Sequence, residues 1–507
     1  MTIINNFQTD SYDIAAPDPG SLIESLRGFG YSPQTAIADL IDNSISARAK
    51  NVWLQFYWDG PGSYISIRDD GCGMSESELV NAMRLGSRNP LEARDPADLG
   101  RFGLGLKTAS FSQCRKLTVQ TLKSEGQMIT RCWDLHEVVR SGEWRLLKVP
   151  SQITQNHSSL LEKCGNGTVV VWEQLDRIVG DAQANHTKAH DRFLQLIGDV
   201  EQHLRMVFHR FLARPVRLNI FIQNNKLTPW DPFLLDNQAT QYLGEEHLSY
   251  LDQKIVIKPY VLPHHTKLKK IAHADAGKPD GWNAMQGFYV YRNDRLLVAG
   301  DWLGLPFTKE EHYKLARIQV DIPNTMDQEW HIDVRKSRAQ PPGRLKDDFR
   351  RIAKLTRDRA VAVYRHRGKK LNSTNSGDFL LPWNRELKLG KIYYRVNQEH
   401  PLVREILLIN EPYRGLLKSF IRLIEETIPV PLIAIDHSEN PEEQASPFEN
   451  ASSKEVQRVI NKIYTALVNS GLSDKAARER LSTMEPFQNF PELIATLDNF
   501  TEMDSEE

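Results

Sequence analysis

Four short stretches follow one another in fixed order near the start of this 507-residue chain: Asp39-Leu40-Ile41-Asp42-Asn43, Asp69-Asp70-Gly71-Cys72-Gly73, Gly100 to Lys107, and Gly167-Thr168. Taken singly, each is as readily a plain turn or a solvated helix face, because Asp, Asn and Gly shape ordinary turns. Taken together they describe separate pieces of chain that meet around one ligand.

The first stretch reads as helix. Ser32 caps it, Pro33 occupies the first turn, where no N–H is needed, and Ile37, Leu40, Ile41 and Ile45 recur at helical spacing. Asp39 and Asn43, four positions apart, share one face. A carboxylate and an amide oxygen there suit a water and a hard cation such as Mg²⁺. The second stretch ends a hairpin: Val52, Leu54 and Phe56 alternate, Gly60-Pro61-Gly62 turns, and Ile65 and Ile67 alternate back to Asp69. A buried carboxylate at that strand end offsets its desolvation by accepting from an exocyclic amine, as adenine presents. The third stretch interleaves glycines with the start of an apolar run. It reads as a loop entering a helix, the geometry that cradles phosphate, with Lys107 adding a mobile positive charge. It is neither a dinucleotide fingerprint nor a Walker loop. The polar segment 83–98 before it reads as a lid.

This set resembles the GHKL ATPase superfamily (gyrase, heat-shock chaperone, histidine kinase, MutL), closest to its MORC and MutL branches. The resemblance implies a cofactor, ATP with Mg²⁺, and a role for each matching residue. Asp39 is then the carboxylate that orients or deprotonates the attacking water, and Asn43 the Mg²⁺ ligand. Ala47, Asp69, Gly71, Gly73, Met74 and Thr168 line the adenine site. Gly100, Arg101, Phe102, Gly103, Leu104, Gly105, Leu106 and Lys107 wrap the phosphates. Lys336 is the lysine that reaches the γ-phosphate from the second domain, with Arg335 as second choice. Two positions depart from the family pattern: Asp39 replaces Glu, one methylene longer, and Ser46 replaces Asp. The shorter base implies slow turnover.

The expected fold class is α+β. A Bergerat-type ATPase sandwich is expected at 1–186 and an S5-like transducer domain at 187–345. A basic helix follows at 346–371, a small mixed domain at 378–438 and a helical segment at 451–500. Patterning within these bounds gives a long helix at 189–212, a hairpin in which Val216, Leu218, Ile220 and Ile222 alternate before a turn at Asn224-Asn225, and strands at 254–261 and 287–298. Lysine and arginine total 64 against 65 acidic residues, so no global charge draws the chain to nucleic acid and any basic surface is local. Segment 344–370 is the local candidate for gripping DNA phosphates, with Arg350, Lys354 and Arg357 on one helical face. The alternative is a solvated face. The four cysteines form no Cys-x-x-Cys pair, no apolar run reaches spanning length and the start lacks a signal-peptide pattern, so the expectation is a cytoplasmic chain without membrane contact.

The functional expectation is an ATP-binding and hydrolysing clamp that closes as a homodimer. It would act on DNA or a DNA-processing partner in repair, compaction or defence against foreign DNA, with the C-terminal helices as a protein-contact region. The alternative is a chaperone-like or regulatory nucleotide-binding module with little hydrolysis.

Overall fold

A computed structural model describes residues 13, 17–28, 30–86, 105–215, 218–332, 339–365, 382–388, 391–408, 413–430, 433, 447–484, 486–487 and 490–497. The chain divides into two units, 1–370 and 371–507.

The first unit holds two sheets. The N-terminal sheet runs β4-β3-β5-β2-β1-β6-β7, built from β1 (Asn51–Tyr57), β2 (Tyr64–Asp69), β3 (Lys116–Leu122), β4 (Ile129–Asp134), β5 (Gly167–Glu173), β6 (Asn219–Ile222) and β7 (Asn225–Lys226). Its pairs are antiparallel except β1 with β6. One face is covered by α1 (Pro19–Arg27), α2 (Pro33–Ser46), α4 (Gly105–Phe111) and α7 (Thr187–Val207), whose Ile23, Ile37, Ile41, Phe111 and Leu204 join Val52, Leu54, Ile67 and Trp172 in one core. The cap and stripe expected for α2 are present: Ser32 Oγ accepts from Thr35 N–H, and Ile37, Leu40 and Ile41 are buried. Between β2 and α4 lies α3 (Glu76–Met83), closed by a Ser75/Glu78 capping box. The helices α5 (Leu135–Ser141) and α6 (Gln152–Cys164) precede β5, and Leu161 of α6 covers the opposite face at Val169 and Val171.

This sheet extends past the boundary drawn at residue 186. Val52 aligns with Ile220 in a parallel pair, and burial of Ile220 and Ile222 in the same core holds β6 there. The β6–β7 hairpin turns at Gln223 and Asn224, both in the left-handed region (φ 48° and 69°).

The second sheet runs β12-β11-β13-β10-β8, with β9 also paired to β10. Its strands are β8 (Gln241–Tyr242), β9 (Glu246–Tyr250), β10 (Gln253–Val261), β11 (Gly287–Arg292), β12 (Arg295–Asp301) and β13 (Ala316–Ile322). One face packs on α10 (Lys346–Arg365) through Phe349, Ile352, Ala353, Ala360 and Val363. Tyr289, Tyr291, Phe233 and Trp230 fill the other. Two short helices complete the unit: α8 (His209–Ala213), which follows α7, and α9 (Lys270–Ala276). Trp330 to Ile332 form a turn after a short 3₁₀ helix: Trp330 N–H bonds Met326 O and His331 N–H bonds Gln328 O.

The second unit holds a hairpin, β14 (Trp383–Lys388) with β15 (Lys391–Val396), and helices at Pro401–Leu408, Tyr413–Thr427, Ser453–Asn469, Asp474–Thr483 and Pro491–Ala495. Its core gathers Ile460, Ile463, Leu467, Leu481 and Phe487. No helix among the described residues is long and apolar enough to cross a membrane.

Candidate nucleotide site

The site opens where α2, the end of β2 and the start of β5 converge. Asp69 closes β2 and lies opposite Thr168 in the ladder. Its side chain is buried, with one oxygen accepting from Gly71 N–H at 2.9 Å and the other from Ser44 Oγ at 2.9 Å. Burial still prevails over these bonds and pushes the carboxyl up to about 6. The turn behind it is fixed by Asp70, which accepts from Lys50 N–H and Asn51 N–H, both at 2.8 Å. Asn166 Nδ2 donates to Gly71 O.

Two glycines in this turn are sterically required. A Cβ on Gly73, at φ +64°, would lie 2.0 Å from Leu122 O, and one on Gly71 would lie 2.8 Å from the Ala47 Cβ. Chain pieces thus pack backbone to backbone. Thr121 of β3 ties them together: its hydroxyl receives Met74 N–H at 3.0 Å and lies 3.0 Å from both Gly167 O and Thr168 Oγ1. Ala47, Asp69, Gly71, Gly73, Met74 and Thr168 therefore sit in one neighbourhood.

On α2, Asn43 is exposed while Asp39 is buried, so only the amide faces solvent freely. Asp39 accepts from Tyr31 Oη at 3.0 Å, and its other oxygen lies 3.7 Å from Arg295 Nη2. The start of α4 approaches the same carboxylate: a Cβ on Gly105 would lie 3.7 Å from Asp39 Oδ2. An exposed amide oxygen suits Mg²⁺, which keeps most of its waters and takes few protein ligands. No cluster of three or more His, Cys, Asp or Glu side chains suited to a metal occurs among the described residues.

Lys107 departs from its expected character. It is 2% exposed, and its Nζ donates to Ala82 O at 2.8 Å, near the end of α3. The ammonium takes one of the carbonyls left without an intrahelical partner, where the helix dipole favours a cation, and so is no mobile surface charge. Leu106 is half-buried beside it. Gly100, Arg101, Phe102, Gly103, Leu104, Arg335, Lys336 and most of the segment read as a lid lie outside the described residues.

The sequence reading missed Ser44 and Tyr31, whose hydroxyls donate to Asp69 and Asp39, and Thr121, which ties β3 to the Asp69 turn and β5. It also missed Arg295, whose Nε lies 2.9 and 2.8 Å from the two oxygens of Asp42. Ser44 sits inside the first motif, next to Asn43, but was given no role of its own; Thr121 sits at a strand position that carries no motif, and Arg295 reaches Asp42 from 253 residues away. No local pattern signals such a partner.

A helix-covered mixed sheet, with acid and glycine groups at its strand ends, defines an ATPase-type α/β sandwich. Residues 31–168 match the family described as histidine kinase-, DNA gyrase B- and HSP90-like ATPase, and this segment is GHKL-like, similar to MORC and MutL proteins. It is 34% identical over 91 residues to ATPase morc-1 of Caenorhabditis elegans, covering 18% of this chain and 10% of that protein. It is 33% identical over 98 residues to the DNA mismatch repair protein MutL of Thermoanaerobacter sp. (strain X514), covering 19% and 16%. Against MutL of Caldanaerobacter subterraneus subsp. tengcongensis it is 25% identical over 221 residues, covering 38% and 37%. The chain thus matches well under two thirds of each relative's length.

Proposed function

We propose that this chain binds Mg²⁺-ATP between α2, the Asp69 turn and the start of α4, and hydrolyses it slowly to operate a dimeric clamp on DNA or a DNA-processing partner. The observation that carries this reading is the buried, solvent-starved Asp69 carboxylate at a glycine-lined strand end, held to α2 through Ser44. An ionised Asp69 accepts the adenine amine, and Thr121 and Thr168 hold the wall behind it. Asn43 would hold the magnesium, which supplies charge neutralisation on the phosphates. Asp39, oriented by Tyr31, accepts the proton of the attacking water at one carboxylate oxygen. Gly105 gives the phosphate end of the nucleotide a close approach to the helix start. By resemblance, Gly100 to Leu104 complete that cradle and Lys336 answers the γ-phosphate.

The second sheet takes the place of an S5-like transducer in this reading. The helix Tyr413–Thr427 leaves Tyr413, Leu416, Phe420 and Leu423 exposed at seam-like spacing, which supports a protein contact in the C-terminal unit. Repair, DNA compaction and defence against foreign DNA are the settings that the MORC and MutL likeness suggests. Phosphate release by pure protein, with and without duplex DNA, tests the proposal: ATP-dependent, magnesium-dependent release is expected. Binding without release favours the regulatory alternative, which the short Asp39 side chain keeps open.

A further inference from the structure

We propose that Arg295 is a positioning residue for Asp39 and that it ties turnover to the seating of the second sheet against α2. This rests on the nucleotide-site reading above and extends it to a residue that the reading does not use.

Arg295 begins β12, directly after the two-residue turn at Asn293 and Asp294. Its side chain leaves its own sheet and reaches helix α2. It is 3% exposed and grips both oxygens of buried Asp42 while its Nη2 lies 3.7 Å from Asp39 Oδ1. Asp39 and Asp42 are three positions apart on one helix, and both are buried. Two such carboxylates repel, and in a low-dielectric setting the repulsion is strong. A guanidinium between them holds both in place, and its planar fork fixes direction as well as distance. Tyr31 holds the other oxygen of Asp39. The candidate base is thus oriented from both sides, one side belonging to the second sheet.

The turn that carries Arg295 is itself latched. Asp294 pairs with Arg210 of α8, at 3.1 Å, and with Arg214, which follows that helix. Arg210 also lies over the Tyr291 ring at 3.5 Å, and His209 bonds Tyr291 Oη at 2.8 Å. Beyond Arg295 the seam is open: a cavity of about 300 Å³ separates Thr35, His203 and Met206 from Met285, Val298 and Lys309. Close-packed interfaces resist shifts, whereas one with a void beside its charged contact has room for the sheet to tilt about Arg295. Tilting would withdraw the guanidinium from Asp39 without breaking either core.

The test compares Arg295→Gln, Arg295→Lys and Asp42→Asn in the full chain by steady-state ATP turnover, calorimetric affinity for a nonhydrolysable ATP analogue and thermal melting. In Arg295→Gln, kcat is expected to fall at least about thirtyfold while KM and analogue affinity stay within about threefold. Arg295→Lys, which retains the charge, should recover part of kcat, and Asp42→Asn should resemble Arg295→Gln. Unchanged kcat in folded Arg295→Gln overturns the proposal, as does a KM rise that accounts for the whole loss. Should Arg295→Gln not fold, Arg295→Lys decides alone: kcat equal to that of the unaltered chain sinks the idea. If the unaltered chain neither binds nor hydrolyses ATP, the nucleotide-site reading fails first, and this proposal with it. A normal unaltered chain beside an indifferent Arg295 variant rejects this proposal only.

Discussion

Asp69 is where burial and chemistry oppose each other most directly. Desolvation raises its carboxyl from 3.8 to about 6, so the folded chain binds this proton more tightly than the unfolded one. Its stabilising effect is therefore complete below about pH 4 and lost as pH rises to about 6, a swing of roughly 3 kcal/mol. Nucleotide binding runs the other way, because the adenine amine needs the anion. At saturating magnesium, analogue affinity measured by calorimetry should weaken about tenfold from pH 7 to pH 5. Asp69→Asn should remove that dependence along with most of the affinity; a flat profile in the unaltered chain would remove Asp69 from the adenine site. At Asp39 the expectation is different. Asp39→Asn keeps the shape that Tyr31 holds but removes the proton acceptor, so ATP stays bound while turnover falls at least about a hundredfold. Normal turnover in that variant would assign the base elsewhere. Asp39, Asn43, Asp69 and the glycines were legible because each sits in a motif. Thr121 and Arg295 were not, because their partners are made by the fold and their own neighbours in sequence are unremarkable; Ser44 lies within a motif, but its bond to Asp69 joins residues 25 positions apart.

Among elements, the join of β3, β5 and the Asp69 turn is the most exacting. Thr121 lies in the middle of it, bonded to Met74 N–H and adjacent to Gly167 O and Thr168 Oγ1. Thr121→Val keeps the shape and leaves a buried N–H without its acceptor, at about 1–3 kcal/mol. The melting temperature should drop and analogue affinity should fall with it. Loss of stability with full affinity would show that Thr121 supports the fold and not the adenine wall. The helix α2 and the hairpin β1–β2 could be drawn from period and turn residues alone, since cap, stripe and alternation agree locally. The extension of the first sheet to β6 and β7 could not. Parallel pairing of β1 with β6 joins residues 168 positions apart, and nothing in either strand names its partner.

At the scale of the molecule, the open question is how a chain of balanced charge would hold DNA. The helix α10 was read as a basic face carrying Arg350, Lys354 and Arg357. Packing divides that face. Arg357 is 7% exposed and lies over the rings of Tyr313, at 3.7 Å, and Phe307, at 4.4 Å, so it serves the second sheet. Helical period alone cannot tell an arginine that stacks on aromatics from one that meets solvent. Arg350 and Lys354 are exposed, as is Arg351, which pairs with Glu246; Asp347 pairs with Arg350. The DNA-gripping charge left on this helix is therefore small. Reversing Arg350 and Lys354 to Glu should weaken duplex binding at low salt, and because phosphate contacts release counterions, it should flatten log K against log salt by about one to two units of slope. Melting should change little, since exposed pairs contribute little. Arg357→Ala should do the opposite: a lower melting temperature from the lost ring contacts, with the salt slope of the folded protein unchanged. Titrations of a labelled duplex across a salt series measure both. Equal slopes for the charge-reversed and unaltered chains would take α10 out of the DNA surface and leave any nucleic-acid contact to another face.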